Sequence, residues 1–165
     1  MSFGLYDACV PVLVRGLTNL SGILTKAEAS GIAHAELLDA RLAPDMKPLP
    51  FQIQSVSDSA KGGAARLAGV DVPSMADTET TFPELQERLA RTIAFMEGLD
   101  AAKFDGAEDR PVVLKFPQGE MTFSGREYLT GFVLPNTFFH IATAYGILRH
   151  KGVALGKMDY LGVRR

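Results

Sequence analysis

His140 is the side chain of this sequence best suited to chemistry, an imidazole set among Phe138, Phe139, Ile141 and Ala142 in the middle of a helical stretch. A histidine buried there needs a hydrogen-bond partner, and its neutral ring offers one donor and one acceptor. Two residues of an earlier segment are candidates. Asp58 would accept a proton from the ring and orient it as a base without any metal, in the way acid–base sites are generally built. Gln52 lies at the edge of an apolar stripe of Ile53, Val56 and Ala60 and can reach the same space. His140, Asp58 and Gln52 are therefore the expected site residues. Plain packing is the competing account. His140 would then be satisfied by a nearby carbonyl or by Asn136 one turn earlier, and Gln54, Asp58 and Lys61 would form a solvated face whose Asp58–Lys61 pair contributes roughly a few tenths of a kcal/mol. In the alternative, that face turns inward across a cavity toward His140. The spacing fits both orientations.

Three histidines and one cysteine limit what else the chain can hold. Two imidazoles four apart on a helix lie about 40° and about 6 Å from each other and can bind one ion. Ala144 stands at that position after His140. His150 is about 80° around and about 15 Å along the axis from His140, too far to share an ion. His34 belongs to a long connection. A divalent metal would need Asp58 or a glutamine as oxygen donor, and such sites hold zinc-like metals less selectively. The lone Cys9 excludes an internal disulfide and a cysteine cluster, and between Ala8 and Val10 it is expected to fill core as an inert thiol. Tyr128 and Tyr145 are expected to pack with their hydroxyls at a polar rim.

The chain has 165 residues, 47% hydrophobic and 22% charged, which suits one domain, residues 1–165, with a single core. Its 17 basic and 19 acidic side chains give a formal net charge of -2, which offers no footprint for nucleic acid and no polybasic membrane patch. Apolar runs such as Val10-Pro11-Val12-Leu13-Val14 are short for a bilayer, and Met1-Ser2-Phe3-Gly4 lacks the start of a signal peptide. A cytoplasmic location is the expectation. A small-molecule ligand and a homodimer paired through aromatic faces are the partners the composition allows.

The elements that must position these residues follow from periodicity. Tyr6, Val10, Leu13, Leu17, Leu20 and Leu24 predict a first helix from about Leu5 to Ala27, with Pro11 kinking it or sitting in its first turn. Gly31, Pro44, Pro48 and Pro50 predict a long connection with a short helical turn near Glu36–Leu42. A second helix is expected from about Phe51 to Ala68, capped by Gly69, and its Gly62-Gly63 pair predicts close approach of a neighbouring backbone. Thr81 and Glu84 form a capping box for a third helix carrying Leu85, Leu89, Ile93 and Met96. Residues 111–123 alternate like a small hairpin around Pro117-Gln118-Gly119-Glu120. Ser124 and Glu127 form a second capping box opening the last helix, where Pro135 predicts a kink near Thr130 to Leu134. The tail from Val153 to Arg165 reads as an extended strap.

The stretch from Leu134 to His150, LPNTFFHIATAYGILRH, resembles the closing helix of the DUF1993 family of DinB/YfiT-like proteins. Leu5-Tyr6-Asp7, the block Leu42-Ala43-Pro44-Asp45-Met46 with Gln52, Asp58, Ala60-Lys61 and Arg66-Leu67-Ala68-Gly69, and the tail Leu155 to Gly162 are similar to the same family. The resemblance implies an all-α, DinB/YfiT-like four-helix bundle of up-down-down-up type, with a long early crossover and a β-hairpin before the last helix. It also implies a superfamily in which three histidines bind a metal and some members are thiol-dependent transferases or isomerases. The three-histidine pattern is missing from this chain. The functions to be weighed are a small-molecule, thiol-dependent transferase or hydrolase-like enzyme with a degenerate metal site, and a non-catalytic ligand-binding or dimeric interaction domain.

Overall fold

The computed structural model describes residues 3–162; Met1, Ser2 and the last three residues of the expected strap lie outside the described residues. Four long helical segments carry the core. α1 spans Leu5–Glu28, and its seam residues Cys9, Val10, Leu13, Leu17, Leu20, Ile23, Leu24 and Ala27 are all buried. Pro11 lies inside α1 on its exposed side. By length and composition α1 is apolar enough to cross a membrane although its uninterrupted apolar runs are short, and 44% of its most apolar stretch is buried in the bundle.

α2 is a five-residue turn, His34–Leu38, in the long connection. α3, Leu49–Ala68, starts with Pro50 in its first turn and ends on Gly69 at φ 66, the left-handed cap that glycine adopts without a Cβ clash. α4, Phe82–Glu97, opens on the Thr81–Glu84 capping box. After a short 3₁₀ turn, Ala101–Phe104, the strands β1, Pro111–Phe116, and β2, Gly119–Ser124, pair antiparallel from Pro111↔Ser124 to Phe116↔Gly119 around a two-residue loop. Val112 and Leu114 turn inward from β1.

The final helical segment has three parts. α5, Gly125–Glu127, is capped by Ser124 and Glu127. A wide π turn follows over Tyr128–Val133, and α6 covers Leu134–His150. Pro135 explains the wide turn: it has no N–H for the carbonyl four residues back, and pairing over five residues moves the register past the missing donor. The Leu134 N–H accordingly donates to the Leu129 carbonyl. The irregularity overlaps the stretch from Thr130 to Leu134 where the proline predicts a kink, and begins two residues earlier, at Tyr128.

In the bundle α1 packs on α4, α4 on α3, α3 on α6 and α6 back on α1. α3 and α6 run antiparallel, since Gln52 meets His140, Ser59 meets Asn136 and Gly63 meets Val133. The close approach at Gly63 comes from the Val133 side chain, whereas a neighbouring backbone was expected. The tail is also more ordered than an extended strap: α7, Lys157–Leu161, is a helical turn held on α1 by Arg15 donating to the Leu161 carbonyl at 2.5 Å, Asn19 donating to the Tyr160 carbonyl at 2.9 Å and a Lys26–Asp159 ion pair at 2.6 Å.

Candidate functional site

The seam between α3 and α6 carries the polar residues that α6 turns toward α3. Thr137, Ile141 and Ala144 are buried along α6, while Asn136 and His140, four apart, face α3. His140 Nδ1 is 2.8 Å from Gln52 Oε1. Gln52, 2% exposed, donates from Nε2 to the Lys47 carbonyl at 3.0 Å, which fixes which end of its amide faces the ring. Gln52 Oε1 can only accept, so the proton sits on His140 Nδ1 and the neutral ring leaves Nε2 as acceptor. Burial lowers the His140 pKa from its ordinary value and favours this neutral form. Phe51 and Phe139 meet the ring edge-on, with centroids 6.2 and 5.2 Å away.

Asn136 does not serve His140. Its Nδ2 donates to Ser59 Oγ at 2.7 Å, one step further along the seam. The four-residue polar pair that α6 offers to α3 is thus Asn136 and His140, and the position four residues after His140 carries the buried Ala144.

Asp58 is drawn to a different neighbourhood. Its Oδ1 accepts from Arg88 Nη2 at 2.7 Å and is paired with Lys61. The expected Asp58–Lys61 pair forms and Asp58 stays exposed, but Lys61, 4% exposed, and Arg88, 2% exposed, are buried beside it, so the face is only partly solvated and does not turn toward His140. Arg88 also pairs with Asp77 at 2.8 Å and Glu79 at 2.9 Å, and donates to the Ala76 carbonyl at 3.1 Å. Gln54 donates to Glu79 at 3.0 Å. This network clamps residues 76–79 onto α3 and α4. The structure brings His140 and Gln52 together and places Asp58 among the Arg88 contacts, with no hydrogen bond to His140 among the described residues.

Asp58 also lies at the edge of a pocket of about 480 Å3 between α3, the wide turn and the hairpin, lined by Ser59, Arg66, Lys115, Phe116, Tyr128 and Phe132, among others. Sequence reasoning missed this place because its wall comes from the hairpin. Tyr128 and Phe132 stack at 5.9 Å, and both meet Phe123 of β2 at 6.0 Å, which ties the hairpin to the wide turn. Tyr128 is buried, which raises its pKa and keeps the phenol neutral, and its hydroxyl accepts from Arg66 Nη1 at 3.2 Å. Tyr145, half-buried, packs edge-on against Tyr160.

The residues do not fit the three-histidine metal that the superfamily implies. Ala144 is buried where a second imidazole would stand, α3 contains no histidine, and His140 Nδ1 is engaged by Gln52. His34 donates to the Glu28 carbonyl at 3.2 Å and packs on Phe82, and His150 is exposed at the end of α6. No group of three or more histidine, cysteine or acidic side chains converges in a metal-binding arrangement among the described residues.

The family described as "Domain of unknown function (DUF1993)" matches residues 5–161. The chain belongs to that family. This DUF1993 protein is also similar to a crystal structure of a DinB family member from Shewanella denitrificans, with 41% identity, a TM-score of 0.89, and coverage of 97% of this chain and 93% of that one. No curated protein matches it. The mostly helical DUF1993 chain with its two-stranded hairpin therefore shares the DinB fold, as the motifs of the last helix imply.

Proposed function

We propose that this DUF1993 protein binds a small organic molecule in the pocket between α3, the wide turn and the hairpin, using side chains alone. One observation carries the reading: about 480 Å3 of open space combines the aromatic walls Phe116 and Phe132 with the polar groups of Ser59, Arg66 and Asp58. That volume and that mixture are what small-ligand sites require. The π turn supplies one wall through Tyr128 and Phe132, and such turns are frequent at functional sites.

The thiol-dependent transferase or hydrolase-like alternative draws less support from the geometry. A base of the expected kind needs His140 oriented by a carboxylate. Its partner is the amide of Gln52, and the carboxylate of Asp58 is engaged by two cations.

The test uses the full chain, purified without a histidine tag and treated with chelator, in amide NMR spectra titrated with a mixture of small aromatic and aliphatic fragments. Ligands are expected to shift the amides of Ser59, Arg66, Lys115 and Phe132. Shifts confined to the separate cleft between α1, α6 and α7 would overturn the reading. So would untreated protein carrying one equivalent of zinc or nickel that a His140→Ala variant loses.

A further inference from the structure

We propose that the ligand of this pocket enters as a carboxylate, recognised by Arg66 lying in the notch left by Gly62. The inference rests on the small-molecule reading above and names the class of molecule. Long helical side chains lean back toward the helix N-terminus, and Arg66 does so over the preceding turn. A Cβ added at Gly62 would sit 2.6 Å from Arg66 Nη1. The absent side chain at position 62 is therefore what lets the guanidinium lie along α3 beside the pocket. Tyr128 Oη, 3.2 Å from the same Nη1, holds it there.

The guanidinium has no carboxylate partner among the described residues. In this respect it differs from Arg88, which is surrounded by three. An arginine held by one neutral hydroxyl keeps most of its five N–H donors for a ligand, and its planar fork matches a carboxylate. Ser59 adds another donor. Its Oγ accepts from Asn136, so its own O–H proton is left to point elsewhere. Lys115 brings a second positive charge from β1, paired only at the surface with Glu120 at 3.4 Å. The negative charge of Asp58 is met by Lys61 and Arg88. Ser59, Arg66 and Lys115 thus line the same pocket as Phe116 and Phe132, which offer apolar surface for the body of the molecule.

The probes are 2-naphthoate, its neutral amide 2-naphthamide, and the cation 2-naphthylmethylamine, titrated by NMR against the wild-type chain, Arg66→Gln and Gly62→Ala. A charge-assisted pair predicts that naphthoate binds about tenfold or more tighter than the amide. Both variants should bring naphthoate down to the affinity of the amide. Gly62→Ala is the decisive one, because alanine favours the helix and the displaced group is the far end of a flexible side chain. It should melt no lower than wild type while losing the preference, which separates recognition from folding. Equal binding of naphthoate and naphthamide, tighter binding of the amine, or full naphthoate affinity in Gly62→Ala would overturn the carboxylate assignment and leave the pocket standing. If none of the three probes moves the amides of Ser59 or Arg66, the pocket reading falls together with it.

Discussion

His140 Nδ1 and Gln52 Oε1 lie 2.8 Å apart across the α3–α6 seam, and the amide of Gln52 is locked by the Lys47 carbonyl. The relationship sets both the tautomer and the pH behaviour of the ring. Nitrogen NMR of the neutral protein should show the proton on Nδ1 and a bare Nε2. Burial lowers the pKa of His140 below the ordinary 6.5, so between the two values the unfolded chain binds the extra proton. The stability that His140 contributes is complete above pH 6.5 and is lost as pH falls through the lower folded value. Gln52→Glu supplies a carboxylate to Nδ1–H and should raise the His140 pKa by about one unit or more. An NMR titration of the ring protons in both proteins checks the sign.

The sequence made much of this fold legible, and the reasons are local. The capping boxes Thr81–Glu84 and Ser124–Glu127 mark helix starts through short-range chemistry, and both form as expected. Pro135 announced the irregularity that became the π turn. The site was less legible because it depends on rotation between helices. Gln52 and Asp58 lie six residues apart on one helix, yet one faces α6 and the other meets Arg88 of α4. The spacing of Gln54, Asp58 and Lys61 could not reveal that α4 would bring Arg88 over that face. The wall that Phe116 and Lys115 add to the pocket comes from a hairpin that begins more than forty residues after α3 ends, which no periodicity of α3 can announce.

Adjacent glycines of α3 should respond in opposite directions to the same substitution. At Gly62 a methyl group meets only the end of Arg66, which can swing away, so Gly62→Ala should stabilise the fold by up to about 1 kcal/mol through helix propensity. At Gly63 it would lie 2.5 Å from Val133 Cγ1, 2.9 Å from Cγ2 and 3.3 Å from Cβ. A β-branched neighbour in a packed helix has no free rotamer to retreat to, and Gly63→Ala should lose about 1 to 3 kcal/mol. Urea denaturation of the two variants beside the wild type measures the split.

Cys9 should be chemically silent in the folded protein. The residue is fully buried in the core, and burial pushes its thiol up to about 12, so the reactive thiolate is almost absent near neutrality. Ellman's reagent is expected to leave the native chain unmodified over hours and to titrate one thiol at once in denaturant. Prompt native labelling would show that α1 opens near its first turns.

The Arg88 cluster should be the acid-sensitive fastening of the bundle. Arg88 is 2% exposed and binds Asp58, Asp77 and Glu79 at 2.7 to 2.9 Å. Removing a buried charge from such a group strands its partners, at a cost of about 3 to 5 kcal/mol. Asp58 and Asp77 keep about half their side-chain surface in water, which places Arg88→Met near the lower end of that range. Glu79 carries the pH dependence. Burial raises its pKa, but hydrogen bonds from Arg88 and Gln54 outweigh this and hold it below the ordinary 4.5. Its contribution is therefore complete above pH 4.5 and disappears as pH falls through the folded value. Melting temperatures measured from pH 3 to 7 should drop on the acid side for the wild type and drop less for Glu79→Gln, whose side chain has no proton to gain. Parallel acid profiles for the two proteins would assign the acid sensitivity to other carboxylates.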